Sequence, residues 1–94
     1  MKVTLAKAIT AHGVDVTELE LREPTGKDVQ ELGFPYIVLM NGDDQALQIQ
    51  VKTVGKYVSR LAAVPPSSID QLSAGDLSAL AGAVLSFFGV EAAA

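Results

Sequence analysis

Apolar and polar residues alternate along two short segments near the amino terminus. Residues 15–23 place apolar or threonine side chains at every second position between charged ones, which is typical of a half-buried strand. Residues 2–10 alternate less regularly, because Lys7 falls among the apolar positions. Gly13 lies between the two segments and can adopt the positive φ that a tight turn needs. The pattern therefore predicts a β-hairpin that ends at Pro24.

A short helix is expected after this hairpin. Thr25 and Asp28 have the spacing of a capping box, in which each side chain accepts a hydrogen bond from the other residue's amide. We expect the helix to extend to about Leu32 and to end at Gly33.

The segment 34–50 supports two interpretations. The apolar run 35–40 and the Asn-Gly dipeptide after it favour a strand followed by a turn. Beyond that turn, apolar residues alternate with glutamines as in a strand, but apolar residues also recur at helical spacing. The strand interpretation uses Leu47, Ile49 and Val51, and the helical one uses Leu47, Val51, Val54, Val58 and Leu61. We place the helix at 48–63 and limit the strands to 35–40 and 45–48.

Two prolines divide the carboxy-terminal half into helices. Pro65 and Pro66 end the first helix, since neither residue can donate a backbone hydrogen bond. The spacings Ser67–Asp70 and Ser73–Asp76 predict two further capping boxes, so we expect a short helix at 68–72 and a last helix that ends at Gly89. The apolar stripe of the last helix predicts the burial of Leu77, Leu80, Ala81, Val84, Leu85 and Phe88.

These elements predict an α+β fold. An N-terminal β-hairpin, with room for a third short strand, precedes a helical C-terminal half of two amphipathic helices and a short connecting helix. No repeat or linker divides the sequence, so residues 1–94 are expected to form a single small domain. Within it we distinguish the hairpin with its short helix (1–33), a variable connector (34–47), a helical interaction region (48–89) and a frayed tail (90–94).

Composition and charge argue against several functional classes. The net charge is −4 and the seven basic residues are scattered, whereas nucleic-acid binding requires a basic surface. The longest apolar run, 36–40, is far shorter than the roughly 20 residues of a membrane-spanning helix. Without cysteine the chain has no disulfide or thiolate metal site, and we expect a cytoplasmic location. Because 49% of the residues are hydrophobic, some apolar surface is expected to be buried against another chain.

No group of residues has the spacing that catalysis or metal binding needs. His12 is the only histidine and lacks a companion ligand or nucleophile, so an exposed turn residue is the favoured interpretation. Asp43 and Asp44 lack the register of a calcium loop, and the serines are explained as helix caps. The three glutamates of residues 18–23 are expected to be solvated on the polar face of the hairpin. We therefore predict a protein that is not an enzyme, with no catalytic residue, cofactor or metal.

Several segments together carry a resemblance to a known family. They are the run from Tyr57 to Pro65, the segment Ser68–Leu72, Asp76, the apolar helix that ends at Phe87-Phe88, and the segment Leu21–Asp28 that closes the charged hairpin. In their order along the chain, these segments resemble the tail assembly chaperones of contractile-tailed, Mu-like phages and their prophage relatives. Residues 35–50 match that family only loosely.

The resemblance implies a small, non-enzymatic protein that binds the long, hydrophobic tape measure protein, or other tail proteins. Such a protein keeps its partner soluble in the host cytoplasm while the tail tube polymerises, and the family has no catalytic residues to carry over. The acidic, apolar-rich composition agrees with protein–protein contact and with self-association. The residues expected to contact a partner or a second copy are Val58, Leu61, Ile69, Leu72, Leu80, Val84 and Phe87.

Two other interpretations stay open. A minor structural component of the tail would have the same composition but would remain in the finished particle. A ubiquitin-like (β-grasp) protein-binding module would also begin with a hairpin and a short helix. A carrier of that kind, however, needs an exposed terminal Gly-Gly, and this chain ends in Ala92-Ala93-Ala94.

Overall fold

Residues 1–89, which the computed structural model describes, form two hairpins and four helices. The elements are β1 (Lys2–Ala11), β2 (Val14–Glu20), α1 (Gly26–Leu32), β3 (Tyr36–Asn41), β4 (Asp44–Ile49), α2 (Val51–Ala62), α3 (Pro66–Ile69) and α4 (Ala74–Phe87). The fold class is α+β, as the sequence predicts. The two hairpins form separate two-stranded sheets, whereas a β-grasp module would join its strands in one sheet. The expected frayed tail lies outside the described residues.

The first hairpin is antiparallel and contains a bulge in β1. The register of β1 against β2 shifts between Thr4 and Ile9, so residues 5–8 form the bulge. Lys7 is exposed within it, while Leu5 and Ile9 remain buried. The irregular alternation of this segment in the sequence therefore corresponds to a real change of register.

The helix α1 begins with the predicted capping box. The Thr25 hydroxyl accepts a hydrogen bond from the Asp28 amide (3.4 Å), and the Asp28 carboxylate accepts one from the Thr25 amide (2.8 Å). Gly33 follows the helix with a φ of 81°, a conformation that glycine adopts without strain. Both ends of α1 are thus where the sequence predicts them.

The second hairpin shows which of the two interpretations of residues 34–50 is correct. β3 and β4 pair antiparallel along their whole length, and the amide of Gln50 donates to the Pro35 carbonyl (2.8 Å) at the base. α2 begins at Val51, so the predicted start at residue 48 is three residues too early. Cross-strand hydrogen bonds pair the backbone groups of the disputed residues that face β3, and the strand pattern therefore prevails up to Ile49.

The helix α3 differs from the one expected at 68–72. Its N-cap is Pro65, which provides no side-chain hydrogen bond, so the predicted capping box at Ser67–Asp70 is wrong. A proline at the first helical position fixes φ at a helical value and makes a hydroxyl cap unnecessary. The Ser68 hydroxyl instead donates to the Thr10 carbonyl (2.7 Å) and joins α3 to β1.

The helix α4 is capped by Ser73, whose hydroxyl accepts a hydrogen bond from the Asp76 amide (3.2 Å). The Asp76 carboxylate does not complete a capping box, because it accepts from the amides of Ala6 (2.8 Å) and Lys7 (3.1 Å) in the bulge of β1. These two bonds favour the ionised carboxylate and hold the pKa of Asp76 below its usual range. Asp76 thus connects the last helix to the first strand.

The core lies between the first hairpin, α2 and α4. Its buried members on the helices are Val54, Tyr57, Val58, Leu61, Leu80, Val84 and Leu85. Tyr57 has no exposed surface, and its hydroxyl donates to the Gly33 carbonyl (2.6 Å). Burial raises the pKa of Tyr57. Three residues that the sequence assigns to the buried stripe are half-buried instead: Leu77, Ala81 and Phe88.

Candidate functional site

The hairpin of β3 and β4 exposes most of the large apolar side chains at the surface of residues 1–89. Directly opposed residues of an antiparallel pair point to the same side of the sheet. One side, which we name the hairpin face, therefore contains Tyr36, Val38, Met40, Leu47 and Ile49. The exposed fractions of Val38, Met40 and Leu47 are 47%, 64% and 46%. The hairpin face exposes roughly 300 Å² of apolar surface, a patch size that is often functional in small proteins.

The edges of this hairpin also lack the usual protection against pairing with another chain. Edge strands commonly contain Lys or Pro, but residues 36–49 contain neither, and their charges are limited to Asp43 in the turn and Asp44 directly after it. Within the described residues the hairpin pairs with no other strand. A two-stranded hairpin with both sides in water is marginally stable, so it gains stability from contact with another chain.

An aromatic cluster connects the base of the hairpin to the core. The ring of Phe88 lies 5.5 Å from that of Tyr57, 6.1 Å from Phe34 and 6.2 Å from Tyr36, measured between centroids. All three contacts have the edge-to-face geometry that aromatic pairs prefer. Since Tyr36 belongs to the hairpin face and Tyr57 is buried, the cluster fixes the hairpin to the helices.

A second apolar surface is a groove along the outer side of α2, with a volume of about 780 Å³. Its apolar lining residues include Leu32, Val51, Ile69, Leu72 and Leu77. The groove begins beside the base of the hairpin, because Val51 follows β4 by two residues. α3 packs closely on α2 at Gly55, where a Cβ atom would lie 3.5 Å from the Ile69 side chain.

A row of three cations lines the same groove. Lys52, Lys56 and Arg60 follow one another at four-residue intervals on α2, which places them along one edge of the helix. Arg60 is paired with Asp28 (3.3 Å) and with Glu31. Neither lysine forms an ion pair with any residue that the structure describes.

Asp28 positions the wall of the groove. Its buried carboxylate accepts two hydrogen bonds from the Arg22 guanidinium (2.7 and 3.1 Å) and one from Arg60 (3.3 Å), in addition to the Thr25 amide. The bonds from Arg22, Thr25 and Arg60 hold the pKa of Asp28 far below its usual range. Because Asp28 lies on α1 and Arg60 on α2, this network fixes α1, with Leu32, against α2.

The residues that the sequence predicts as partner contacts fall into two groups. The core contains Val58, Leu61, Leu80 and Val84. The surface layer contains Ile69, Leu72 and Phe87 as half-buried side chains, and the first two line the groove. The structure therefore gives the first group a role in stability, and partner contact by any of the seven stays a prediction.

The polar residues considered for chemistry are dispersed. His12 is exposed in the first turn, with its Nε2 atom 3.1 Å from the Ala63 carbonyl oxygen. Among residues 1–89 no group of three or more His, Cys, Asp or Glu side chains could hold a metal ion. None of the helices in that range has the length and apolarity to cross a membrane.

An exposed hairpin face next to a helical groove is typical of a protein that binds other proteins. The family model for phage tail assembly chaperone proteins, E, or 41 or 14, matches residues 2–89. The chain belongs to this family of phage tail assembly chaperones. The match includes residues 35–50, the segment that the sequence pattern matched only loosely to the family. No curated protein and no solved structure matches the chain significantly.

Sequence reasoning did not identify the hairpin face of this tail assembly chaperone. A continuous apolar run such as 36–40 usually indicates a strand that is buried on both sides. Here the first hairpin, α2 and α4 already complete the core, so the run stays at the surface. The Asn-Gly turn between two apolar segments was the signal for a hairpin, but no local signal distinguishes an exposed apolar hairpin from a buried one.

Proposed function

We propose that this tail assembly chaperone binds the tape measure protein in the bacterial host cytoplasm and acts without catalysing a reaction. The family match establishes a role in tail assembly. The tape measure protein is the tail component whose long hydrophobic segments need cover before the tube assembles, as the family resemblance implies. The observation that carries the proposal is the exposed hairpin face.

The size of the hairpin face suits reversible binding. Burial of roughly 300 Å² of apolar surface is worth about 7 kcal/mol, at about 25 cal/mol per Å². The loss of translational and rotational freedom on association costs a similar amount. The two contributions nearly cancel, so the hairpin face by itself gives weak, reversible binding, which allows a chaperone to release its partner when the tail tube replaces it.

Co-expression with the tape measure protein of the same gene cluster tests the proposal. The double variant Val38→Thr/Leu47→Thr removes two apolar side chains from the hairpin face and places threonine, which is common in strands, at both positions. Val14→Thr is the matched control, since Val14 is an exposed valine beside the turn of the first hairpin. We expect wild type and the control to keep the tape measure protein soluble and to co-purify with it, and the double variant to lose most of both.

The melting temperature of the double variant shows whether it loses binding to the tape measure protein without losing its fold. Val38 and Leu47 are exposed, so the double variant should melt within a few degrees of wild type. An equally folded double variant that solubilises and retains the tape measure protein as wild type does would refute the proposal.

Mass spectrometry of purified phage particles tests the alternative of a minor tail component. We expect the chaperone to be absent, and its presence in stoichiometric amounts would favour that alternative.

A further inference from the structure

The groove along α2 has a basic edge, in contrast to the acidic composition of the chain. The chain is acidic, with a net charge of −4, yet three of its seven basic residues line this one groove. Asp70 is the one acidic residue among its lining side chains. Lys52 and Lys56, which form no ion pair within residues 1–89, thus create a local positive potential beside an apolar floor, which favours an acidic partner.

The walls of the groove select the kind of segment that can fill it. Apart from Asp70 and Leu72, in the turn between α3 and α4, the lining residues belong to helices, whose interior backbone groups are already hydrogen-bonded, so the groove offers no strand for backbone pairing. The occupant must instead contribute side chains from one face, as an amphipathic helix does. The stretch of α2 from Val51 to Arg60 is about 14 Å long at 1.5 Å per residue, which corresponds to between two and three turns of a helix beside it.

We propose that this groove binds an amphipathic helix of a partner tail protein, whose apolar stripe is flanked on one side by Asp or Glu at four-residue intervals. The apolar stripe contacts Leu32, Ile69 and Leu77, and the carboxylates face Lys52 and Lys56. The spacing of the two lysines on α2 equals the spacing of the carboxylates on the partner helix. This inference rests on the proposed function for the existence of a partner but concerns a surface separate from the hairpin face.

A second copy of the chain does not supply such a helix within the described residues. The apolar sides of α2 and α4 are already buried in the core, and α2 contains no acidic residue. The two carboxylates of α1, on Asp28 and Glu31, are already paired with arginines. The one acidic residue of α4, Asp76, is buried and accepts hydrogen bonds from the β1 bulge. The occupant therefore comes from a different polypeptide.

Designed peptides measure the charge preference without the natural partner. The probes are fluorescent helical peptides with the same leucine stripe, flanked in one by glutamates and in the other by lysines. Binding to the full chain is followed by fluorescence anisotropy at low and at high salt. We expect the glutamate peptide to bind about tenfold more tightly than the lysine peptide at low salt, and the difference to shrink at high salt.

Lysine-to-glutamate variants show which residues cause the preference for the glutamate peptide. Lys52→Glu/Lys56→Glu should reverse the order of the two peptides, while the matched control Lys7→Glu/Lys27→Glu should retain it. Each variant has two substitutions of −2, so both change the net charge from −4 to −8 and differ only in position. All four lysines are exposed, and both variants should keep the wild-type melting temperature.

Three results would overturn the inference. They are equal binding of both peptides to wild type, the same loss of the glutamate peptide in both variants, and a concentration-dependent dimer in sedimentation that the groove variant abolishes. The tape measure co-expression assay separates this inference from the proposed function. If Val38→Thr/Leu47→Thr no longer keeps the tape measure protein soluble while the two peptides bind equally, the proposed function stands and the groove assignment is wrong.

Discussion

The substitution Asp28→Asn tests how much the groove wall depends on one buried carboxylate. Asn keeps the size of the side chain but replaces a charged acceptor with an amide that also presents N–H donors to the guanidinium groups. The change removes the charge-assisted hydrogen bonds from Arg22 and Arg60 and weakens the cap at Thr25. It leaves the apolar core unchanged, so the loss of stability reports the network alone.

The expected magnitude follows from these bonds. A hydrogen bond to a charged group contributes about 1.5–3 kcal/mol when buried, and a helix cap contributes about 1 kcal/mol. The side chains of Arg22 and Arg60 are 47% and 35% exposed, so solvent screening lowers the free energy that their hydrogen bonds to Asp28 contribute. We expect a loss of about 3 kcal/mol in the free energy of unfolding. For a domain of this size, that corresponds to a fall of about 15 °C in melting temperature.

The pH dependence gives an independent check of the same variant. The folded-state pKa of Asp28 lies below that of the unfolded chain, so its stabilisation is complete above the ordinary carboxyl pKa of about 4. It is lost as the pH falls from there toward the lower folded-state pKa. Thermal unfolding followed by circular dichroism should therefore show a constant gap between wild type and Asp28→Asn from pH 5 to pH 8, and a narrowing gap below about pH 4.

A surface control separates this network from a general charge effect. Asp44→Asn removes the same charge from an exposed residue of β4 and should change stability by less than about 0.5 kcal/mol. If Asp28→Asn melts within a few degrees of that control at pH 7, the network does not hold α1 on α2. A gap that persists unchanged to pH 2 would equally contradict the assignment of the stabilisation to the ionised carboxylate.

Two further predictions concern the carboxy-terminal helix. Phe88→Ser should lower stability by about 2 kcal/mol, since Phe88 is half-buried against three other rings, and Phe87→Ser should lower it less while weakening partner co-purification. Chemical denaturation and pull-down measure these effects, and an equal loss of stability in both variants would contradict them. Asp76→Asn should lower the melting temperature at pH 7 and approach wild type toward pH 3, because hydrogen bonds from Ala6 and Lys7 hold the pKa of Asp76 low. A pH-independent difference in melting temperature would assign the effect to packing instead.

The sequence predicts the local elements well where a chemical signal lies inside the element. The capping box of Thr25 and Asp28 and the first turn at Gly13 are present as expected. Tertiary contacts decide the failures. The Ser68 hydroxyl joins α3 to the Thr10 carbonyl of β1, and the Asp76 carboxylate accepts hydrogen bonds from a bulge about seventy residues away in the sequence.

The candidate site is less predictable from the sequence than the fold, for a related reason. Apolar periodicity indicates which residues avoid water but not whether the same chain or another chain covers them. Val58 and Val38 are both apolar residues in periodic segments, yet Val58 has no exposed surface and Val38 is 47% exposed. The difference arises because α2 packs against α4 and the first hairpin, whereas β3, among the described strands, pairs only with β4 and reaches the aromatic cluster only at Tyr36.

Under the proposed function, stability and partner binding depend on different parts of this small fold. The core of the first hairpin, α2 and α4 determines whether the chain folds, and the second hairpin is joined to it through the aromatic cluster at its base. A partner that binds only the ordered hairpin stabilises it by mass action, by an amount that depends on the partner's concentration. An exposed apolar hairpin would be a liability in a chain that acts alone, because it promotes aggregation. Under the proposed function, the same surface covers hydrophobic segments of the tape measure protein.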